Sequence, residues 1–375
     1  MPKPPSPRSA TPDSILITGG AGFIGSHLAD ELLARGYRVR ALDNLTPQVH
    51  EGGGRPDYLG AEVELQVGDV RDRAAVSRAL AGVDAVVHLA ARVGVGQSMY
   101  EIAEYTAANS LGTAVLFEAL AEAPVGKVVI ASSMSVYGEG LYRTADGREV
   151  EPEERTREQL ERDEWELPGL VPVPTPETKR LTLSSIYALT KYAQERAALV
   201  CGAAYGIPTV ALRLFNTYGT RQALSNPYTG VLAIFASRLL NDRPPRVYED
   251  GLQRRDFVAV SDVARAFALA LERDGADGLV LNVGSGTSVT VRNVAVQLAA
   301  TVGKEIEPEL TGEYRAGDIR HCFADIALAR ETLGYEPQVA LPEGMAELAA
   351  WLEGRVAVDR VEAAAAELQQ RGLAI

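Results

Sequence analysis

Residues 15–25 read Ile-Leu-Ile-Thr-Gly-Gly-Ala-Gly-Phe-Ile-Gly, and this stretch decides the fold. Its first residues are apolar and mostly β-branched, as in a buried parallel strand, and residues 26–34 continue with a helical pattern. Gly19, Gly22 and Gly25 recur every third residue, so the backbone can turn sharply and approach a pyrophosphate at the N-terminus of the helix. The stretch therefore predicts a strand–turn–helix unit that binds a dinucleotide.

The next predicted strand, residues 37–43, ends in an acid, Asp43, which lies 18 residues after Gly25. A carboxylate at this point accepts a hydrogen bond from the 2′-hydroxyl of a ribose, whereas a 2′-phosphate would meet like charge. The sequence therefore favours NAD over NADP. Two alternatives stay open: Arg40 lies close enough in sequence to hold a phosphate, and Asp43 could simply cap a loop.

Seven strand candidates alternate with helical patterns along the chain. This alternation predicts an α/β fold, a doubly wound parallel sheet of the Rossmann type with helices on both faces and a smaller C-terminal substrate lobe. The binding crevice should lie at the carboxyl ends of the strands. The strand candidates are residues 15–18, 37–43, 63–69, 85–90, 128–133, 209–216 and 279–284, and helical periodicity is clearest over residues 98–122, 184–204, 229–240, 261–273 and 291–301.

The predicted domain organisation has a disordered tail, a split cofactor domain, a split substrate lobe and a final helix. The segment 139–182 interrupts the cofactor domain with many charged residues and closely spaced prolines. It is either a solvated surface excursion or a lid over a crevice. The boundaries are 1–12 for the tail, 13–217 and 257–286 for the NAD-binding domain, 218–256 and 287–355 for the nucleotide-sugar lobe, and 356–375 for the helix.

Composition excludes several classes of function. A net charge of −13 gives no basic face for nucleic acid or an anionic membrane, and the N-terminal segment lacks the apolar run of a signal peptide. The cytoplasm is the expected location. Two cysteines exclude a disulfide framework, and the four histidines lack ligand spacing, so no metal is expected. These residues are Cys201, Cys322, His27, His50, His88 and His321.

A tyrosine and a lysine four residues apart, Tyr187 and Lys191, form a candidate proton-transfer pair on one helical face. A nearby cation favours the phenolate of a tyrosine, which makes proton abstraction feasible near neutral pH. Ser133 and Ser135 precede this helix and can polarise the same substrate oxygen. His88, at a strand end with apolar neighbours, is better explained as a hydrogen-bonded core residue than as a catalytic one.

These motifs, in this order, resemble the extended short-chain dehydrogenase/reductase group, specifically the nucleotide-sugar epimerases and dehydratases, from about residue 14 to residue 352. The resemblance implies NAD as cofactor and a nucleoside-diphosphate sugar as substrate. It implies catalytic roles for Ser133, Tyr187 and Lys191. By the same resemblance, cofactor contacts come from Gly19, Gly22, Phe23, Ile24, Gly25, Asp43, Asn44, Asp69, Val70, Leu89, Ala90, Ala91, Asn109, Tyr187 and Lys191, and substrate contacts from Ser133, Ser135, Asn216, Tyr248, Arg255 and Arg315.

Two of the substrate assignments have alternatives. Either Arg254 or Arg255 could be solvated surface charge, and Arg255 is the one expected to point inward. Tyr248 packs either on a pyrimidine or in the core. Thr220 stands where the family usually has a proline, a small departure in a loop.

The reaction follows from what the chain lacks. The dehydratases carry an Asp-Glu pair after the active-site hydroxyl and the uronate decarboxylases carry a Glu, whereas this chain has Met134 and Ser135. Elimination would lack its acid and base, so the resemblance implies transient oxidation at C4 and reduction from the opposite face, that is, 4-epimerisation.

Residues 93–100 and 225–230 and the long insertion resemble a subgroup that acts on a dTDP-6-deoxy-L-hexose, interconverting the rhamnose and talose configurations. A UDP-hexose or UDP-uronate epimerase stays open, as do a reductase of nucleoside-diphosphate 4-ketosugars and a catalytically silent NAD-sensing protein. The resemblance also implies a homodimer through helices 98–122 and 184–204.

Overall fold

The computed structural model describes residues 13–50, 52–315 and 318–374. The predicted tail, residues 1–12, lies outside the described residues. In chain order the strands are β1 (Ser14–Thr18), β2 (Arg38–Asp43), β3 (Glu64–Val67), β4 (Ala85–His88), β5 (Lys127–Ser133), β6 (Leu141–Thr144), β7 (Glu149–Val150), β8 (Leu170–Val173), β9 (Thr209–Leu214), β10 (Asn216–Tyr218), β11 (Arg246–Val247), β12 (Arg254–Arg255), β13 (Phe257–Ala259), β14 (Val280–Val283), β15 (Val289–Thr290), β16 (Glu309–Leu310) and β17 (His321–Cys322).

The helices in chain order are α1 (Phe23–Ala34), α2 (Arg73–Leu80), α3 (Val95–Ser98), α4 (Ile102–Tyr105), α5 (Gly112–Glu122), α6 (Arg157–Leu160), α7 (Ile186–Tyr205), α8 (Val231–Leu240), α9 (Val260–Glu272), α10 (Val291–Thr301), α11 (Ala327–Leu333), α12 (Leu341–Leu352) and α13 (Val361–Gln370). A π-helical turn spans Thr106–Leu111, and 3-10 turns span Met134–Tyr137 and Asp274–Ala276.

The central sheet has seven strands in the order β14-β9-β5-β4-β1-β2-β3, and every pairing in it is parallel. The seven predicted strands are the seven strands of this sheet. β1 lies between β2 and β4, so the order of the strands reverses beside it, and a crevice opens at the carboxyl ends there. The predicted fold class is confirmed.

Helices cover both faces because the central strands are apolar on both sides. Successive side chains point to opposite faces, so Ile15 and Ile17 join the core under α1 and α9, whereas Leu16 joins the core on the other face. A third core packs α8, α10 and α12 together around residues such as Phe235 and Leu298. We call residues 218–256 and 287–355 the second lobe and the rest of the chain up to residue 286 the sheet lobe; the exact domain boundaries stay a prediction.

The helix predicted over residues 98–122 is wrong as one continuous element. The structure breaks it into α3, α4, the π-helical turn and α5. The Ser98 hydroxyl donates to the carbonyl of Val95 (2.6 Å) and accepts from the N–H of Tyr187 (3.0 Å), which ends α3 against the neighbouring helix α7. These tertiary hydrogen bonds outweigh the local apolar periodicity that predicted one helix.

The insertion forms a three-stranded antiparallel sheet, β7-β6-β8, that packs against the second lobe. Buried ions hold it there: Arg155 pairs with Glu249 (2.9 Å), and Glu249 pairs in turn with Arg320 (2.8 Å). Glu139 accepts from the backbone N–H groups of Arg320 (2.5 Å) and His321 (3.1 Å). The insertion is therefore anchored at its base by a network of charges that water hardly reaches.

Candidate active site

A cleft of about 440 Å³ opens at the carboxyl ends of the parallel strands, next to β1. It is large enough for a dinucleotide-sized ligand to be partly enclosed. Most of the sequence-predicted site residues line it, namely Gly19, Gly22, Phe23, Ile24, Gly25, Asp43, Asn44, Asp69, Val70, Leu89, Ala90, Ala91, Ser133, Tyr187 and Lys191.

The glycine-rich turn leaves room for a phosphate group. Gly19 has φ +70°, which favours glycine, and a Cβ on Gly25 would lie 2.3 Å from the carbonyl oxygen of Gly19. Helix α1 starts directly after Gly22, and no side chain caps its first turn. Its free N–H groups therefore face the cleft, which fits the diphosphate of a dinucleotide.

Asp43 ends β2 with its carboxylate held by backbone N–H groups of Ala21 (3.1 Å) and Leu45 (2.9 Å). His50 lies 3.6 Å from the same carboxylate, and burial lowers the pKa of this histidine. Arg40 is committed elsewhere, because its guanidinium donates to the carbonyls of residues 79 and 81. The site therefore presents a carboxylate, with no arginine from β2, to a ribose.

Asp69 lies at the adjacent strand end. Hydrogen bonds from the Arg71 side chain lower the pKa of the Asp69 carboxyl to about 2, although partial burial opposes this. Asn44 donates to the same carboxylate (3.1 Å). The side chains of two neighbouring strand ends are thus fixed before any ligand binds.

Ser133 and Tyr187 both line the cleft, and Ser135 donates to the Ser133 hydroxyl (3.0 Å). Burial raises the pKa of the Tyr187 phenol, and the nearby Ser133 hydroxyl opposes this shift. One turn further along α7, burial lowers the pKa of Lys191 to about 7, and Glu195 opposes this shift. The arrangement can move a proton between a bound hydroxyl and Tyr187.

Behind the cleft, Lys191 is held by a residue that the sequence analysis missed. The Lys191 ammonium donates to Oε1 of Gln194 (2.8 Å), and Nε2 of Gln194 donates to the Thr113 hydroxyl (2.9 Å). His88 also contacts Thr113 (2.9 Å) and bonds to the Thr18 hydroxyl (2.7 Å), with 1% of its surface exposed. The prediction that His88 is a hydrogen-bonded core residue is confirmed.

Asn109 does not line the cleft but supports its wall from the π-helical turn. Its Oδ1 accepts from the N–H of Arg92 (2.7 Å), and its Nδ2 donates to the carbonyl of Arg92 (3.1 Å) and the hydroxyl of Thr190 (3.0 Å). It thereby joins the loop after β4 to helix α7.

The remaining predicted substrate residues lie on the side of the second lobe. Arg255 points inward, where its guanidinium donates to the carbonyls of residues 319 and 320, whereas Arg254 is exposed. The guanidinium of Arg315 lies 4.6 Å above the ring of Tyr248 and pairs with Asp318 (2.8 Å). Asn216 begins β10, and its Oδ1 is buried without a hydrogen-bond partner. Together these side chains offer cations and an unpaired acceptor.

The sequence analysis missed a group of polar side chains that form one wall of the cleft and come from both lobes. Gln48 donates to Gln97 (3.0 Å) and to Asn226 (3.1 Å), and Arg92 pairs with Glu101 (2.5 Å). Gln222 lines the same wall, with its Oε1 buried and unpaired. Gln97 and Asn226 lie in the stretches 93–100 and 225–230 that resemble a subgroup, but no motif marks Gln48 or Gln222, and the sequence does not indicate that these side chains meet.

Over residues 13–50, 52–315 and 318–374, no group of three or more His, Cys, Asp or Glu side chains is arranged to hold a metal ion. In the same part of the chain, no helix is both long and apolar enough to cross a membrane.

The fold and the cleft define a dinucleotide-dependent enzyme. The chain belongs to the NAD dependent epimerase/dehydratase family, whose model matches residues 15–161 and 166–284. A dTDP-L-rhamnose 4-epimerase of Burkholderia thailandensis is 38% identical over 343 residues, which cover 90% of this chain and 94% of that protein. The family and the relatives make this chain an NAD-dependent nucleotide-sugar epimerase.

Two solved structures are similar over almost their whole length. The UDP-glucose 4-epimerase of Thermus thermophilus in complex with NAD has a TM-score of 0.74 at 34% identity, covering 92% of this chain and 100% of its own. The UDP-glucose 4-epimerase of Thermotoga maritima with UDP-glucose has a TM-score of 0.74 at 32% identity, covering 90% and 98%.

Proposed function

We propose that this enzyme inverts C4 of a nucleoside-diphosphate sugar and that its substrate pair is dTDP-L-rhamnose and dTDP-6-deoxy-L-talose. The observation that carries the proposal is that Ser133 and Tyr187 line the same cleft, with Met134 and Ser135 following Ser133 instead of carboxylic acids. Loss of water from C5 and C6 needs an acid and a base at that place, whereas reversible oxidation at C4 needs only the pair.

In the proposed reaction the Tyr187 oxygen takes the proton of the 4-hydroxyl, and the Ser133 hydroxyl holds that oxygen by a hydrogen bond. Burial raises the pKa of the Tyr187 phenol, and we propose that a protonated Lys191, one turn away on α7, favours the phenolate. NAD, when bound, supplies reversible oxidation at C4 by accepting and returning a hydride. After the sugar has turned to present its other face, Tyr187 returns the proton to the oxygen on C4.

The residues proposed to hold the cofactor follow its length along the strand ends. The amides at the start of α1 meet the diphosphate, Asp43 and Asn44 meet the adenosine ribose, and Asp69 and Val70 meet the adenine. Leu89, Ala90 and Ala91 continue this wall toward Tyr187.

The residues proposed to hold the substrate lie across the junction with the second lobe. The unpaired Oδ1 of Asn216 can accept from a ligand hydroxyl, and a buried acceptor without a partner is costly unless a ligand fills it. Arg315 and, once it exchanges its hydrogen bonds to the carbonyls of residues 319 and 320, Arg255 are proposed to bind the diphosphate, because a guanidinium pairs with phosphate oxygens through two donors. Tyr248, whose ring lies under the guanidinium of Arg315, is proposed to pack on the base.

The choice of sugar is supported by the relative from Burkholderia thailandensis, whose name gives dTDP-L-rhamnose as the substrate. Apolar side chains of Val93 and Phe215 line the same cleft and offer a surface for the methyl group of a 6-deoxyhexose. A UDP-hexose is the second candidate, since the similar structure from Thermotoga maritima holds UDP-glucose.

The test incubates the purified enzyme, with no cofactor added, separately with dTDP-L-rhamnose and UDP-glucose and follows the C4 configuration by NMR. We expect the rhamnose and talose forms to interconvert, and we expect Tyr187→Phe to remove nearly all of this turnover while NAD stays bound. If the enzyme converts only UDP-glucose, the substrate assignment is wrong, but the proposed mechanism still applies. Stoichiometric consumption of added NADPH would instead identify a reductase, and full activity of Tyr187→Phe would place the base elsewhere.

A homodimer is proposed from an apolar face on two adjacent helices. Leu111, at the end of the π-helical turn, is 53% exposed, and Leu189 and Val200 on α7 are 48% and 56% exposed. Large apolar side chains exposed together on one face are typical of a protein interface. We also propose a cytoplasmic location, in which Cys201 and Cys322 stay reduced.

A further inference from the structure

The last segment described, residues 356–374, crosses the junction between the two lobes; we call it the C-terminal strap. Its first part is fixed to the second lobe. The Asp359 side chain, 4% exposed, pairs with Arg238 (3.4 Å) and Arg243 (3.2 Å). The Asn241 amide donates to the carbonyl of Ala357 (2.9 Å). The sequence alone predicted only a terminal helix here.

The middle of the strap, helix α13, packs on the sheet lobe. Leu368 is 4% exposed and lies directly over α3, since a Cβ built on Gly96 would be 3.3 Å from both of its methyl carbons. The Arg371 guanidinium stacks 4.4 Å from the centre of the Tyr100 ring. One apolar and one cation–π contact therefore attach α13 to the segment that follows β4.

The end of the strap returns to the second lobe beside a proposed substrate residue. Ala374 forms an antiparallel bridge with Arg315, the arginine whose guanidinium lies over Tyr248. Gln369 donates to the Glu313 carboxylate (3.4 Å). The strap thus contacts the second lobe at both ends and the sheet lobe in between.

The junction beneath the strap is the wall of the cleft. The hydroxyls of Tyr100 and Tyr228, one from each lobe, are 2.6 Å apart. Gln97 and Asn226, which line the cleft from the two lobes, are joined through Gln48. A movement that separates the two lobes at this junction must break these contacts, and the strap contacts both lobes around them.

We propose that the C-terminal strap controls exchange of the nucleotide sugar: the cleft admits or releases this ligand only when α13 leaves Gly96 and Tyr100. In the closed form the strap also retains the oxidised sugar while it turns. This inference rests on the proposed function for the identity of the ligand. Its mechanical part does not depend on the sugar, so a nucleoside diphosphate serves as probe.

The experiment measures the dissociation rates of dTDP and UDP by stopped-flow displacement from the NAD-bound enzyme. The variants are a chain ending at residue 355, Leu368→Asp and Arg371→Ala. The matched control is Ala366→Asp, which adds the same charge to the exposed face of the same helix. We expect about tenfold faster dissociation or more in the first two, as loss of one buried leucine contact implies. We expect a smaller increase in Arg371→Ala and none in the control.

Unchanged dissociation rates in all three variants would overturn the proposal, as would an equal increase in the Ala366→Asp control. Arg371→Ala keeps the buried face of α13 intact and decides the matter if the shortened chain does not fold. Release of free 4-ketosugar during turnover by the variants would support retention by the strap. If the variants exchange nucleotide faster while the intact enzyme epimerises no nucleotide sugar, the role of the strap in ligand exchange is supported and the proposed function is wrong.

Discussion

Replacing Asp43 by Asn tests how the cleft selects and holds its cofactor. The Asp43 carboxylate accepts from the N–H groups of Ala21 (3.1 Å) and Leu45 (2.9 Å), one on each oxygen. It is 8% exposed, and both oxygens still have a lone pair available to the ribose. An Asn side chain has one oxygen and one NH2 group, so one of the two backbone donors must face another donor.

The magnitude follows from this geometry. The substitution removes the negative charge and one acceptor, and a hydrogen bond to a charged group contributes about 1.5–3 kcal/mol. NAD affinity should therefore fall by about 10- to 150-fold. His50, whose pKa is lowered by burial, does not compensate, because it is neutral at pH 7.

The assay strips the cofactor and titrates the protein with NAD by calorimetry at pH 7. The matched control is Asp84→Asn, because the Asp84 carboxylate also holds two backbone N–H groups, those of residues 13 and 14, but at the opposite end of the sheet. The control should leave NAD affinity unchanged. Equal NAD affinity in Asp43→Asn and wild type would refute the assignment of the ribose to Asp43.

Three further predictions concern the neighbouring helix α7. Lys191 has a pKa of about 7 in the folded cofactor-free enzyme but keeps its proton up to about pH 10.5 in the unfolded chain, so the stability of the wild type should rise between pH 7 and pH 10. The variant Lys191→Met should abolish this rise, measured as urea midpoints. Glu195→Gln should lower the free energy of unfolding by about 3–5 kcal/mol, because it leaves Arg213 buried without its ion pair (2.7 Å). The control Glu161→Gln, in the exposed pair with Arg157, should leave the urea midpoint almost unchanged. Leu189→Glu should turn the proposed dimer into a monomer in sedimentation experiments without loss of bound NAD; a dimer in that variant would exclude this face.

The sheet and the cofactor side of the cleft were predictable because their signals are local. The apolar run before Gly19 predicts a buried strand, and the three-residue spacing of the glycines from Gly19 to Gly25 predicts a sharp turn between this strand and the next helix. Asp43 and Asp69 end strands, so their positions follow from the parallel order. Each of these inferences needs only neighbouring residues and one rule of sheet topology.

The rest of the site depends on contacts between distant segments. Gln48 and Asn226 lie in loops and Gln97 lies in α3; although residues 93–100 and 225–230 resemble the same subgroup, nothing in the sequence indicates that these three side chains meet. The break in the helix after Ser98 has the same origin, because its cause is a hydrogen bond to Tyr187. Such pairings are invisible to periodicity, which averages over a helix length.

The choice between surface excursion and lid for segment 139–182 also needed the fold. Among the described residues, those lining the cleft include none from this segment. Its base is instead tied to the second lobe through Glu139, Arg155 and Glu249. A charged stretch in a sequence usually indicates solvent contact, but here part of the charge is paired and buried.

The π-helical turn that carries Asn109 has a consequence for protein engineering and for aligning related chains. Each residue advances an α-helix by about 100°, so deleting Ser110 or Leu111 would rotate everything before the deletion by that angle relative to α5. Asn109 would then swing away from Arg92 and Thr190, although no hydrogen-bonding residue had been changed. A mutant library that varies loop lengths should therefore keep the six positions of this turn fixed. In a sequence alignment, a gap at these positions indicates that the cleft wall supported by Asn109 differs in the related chain.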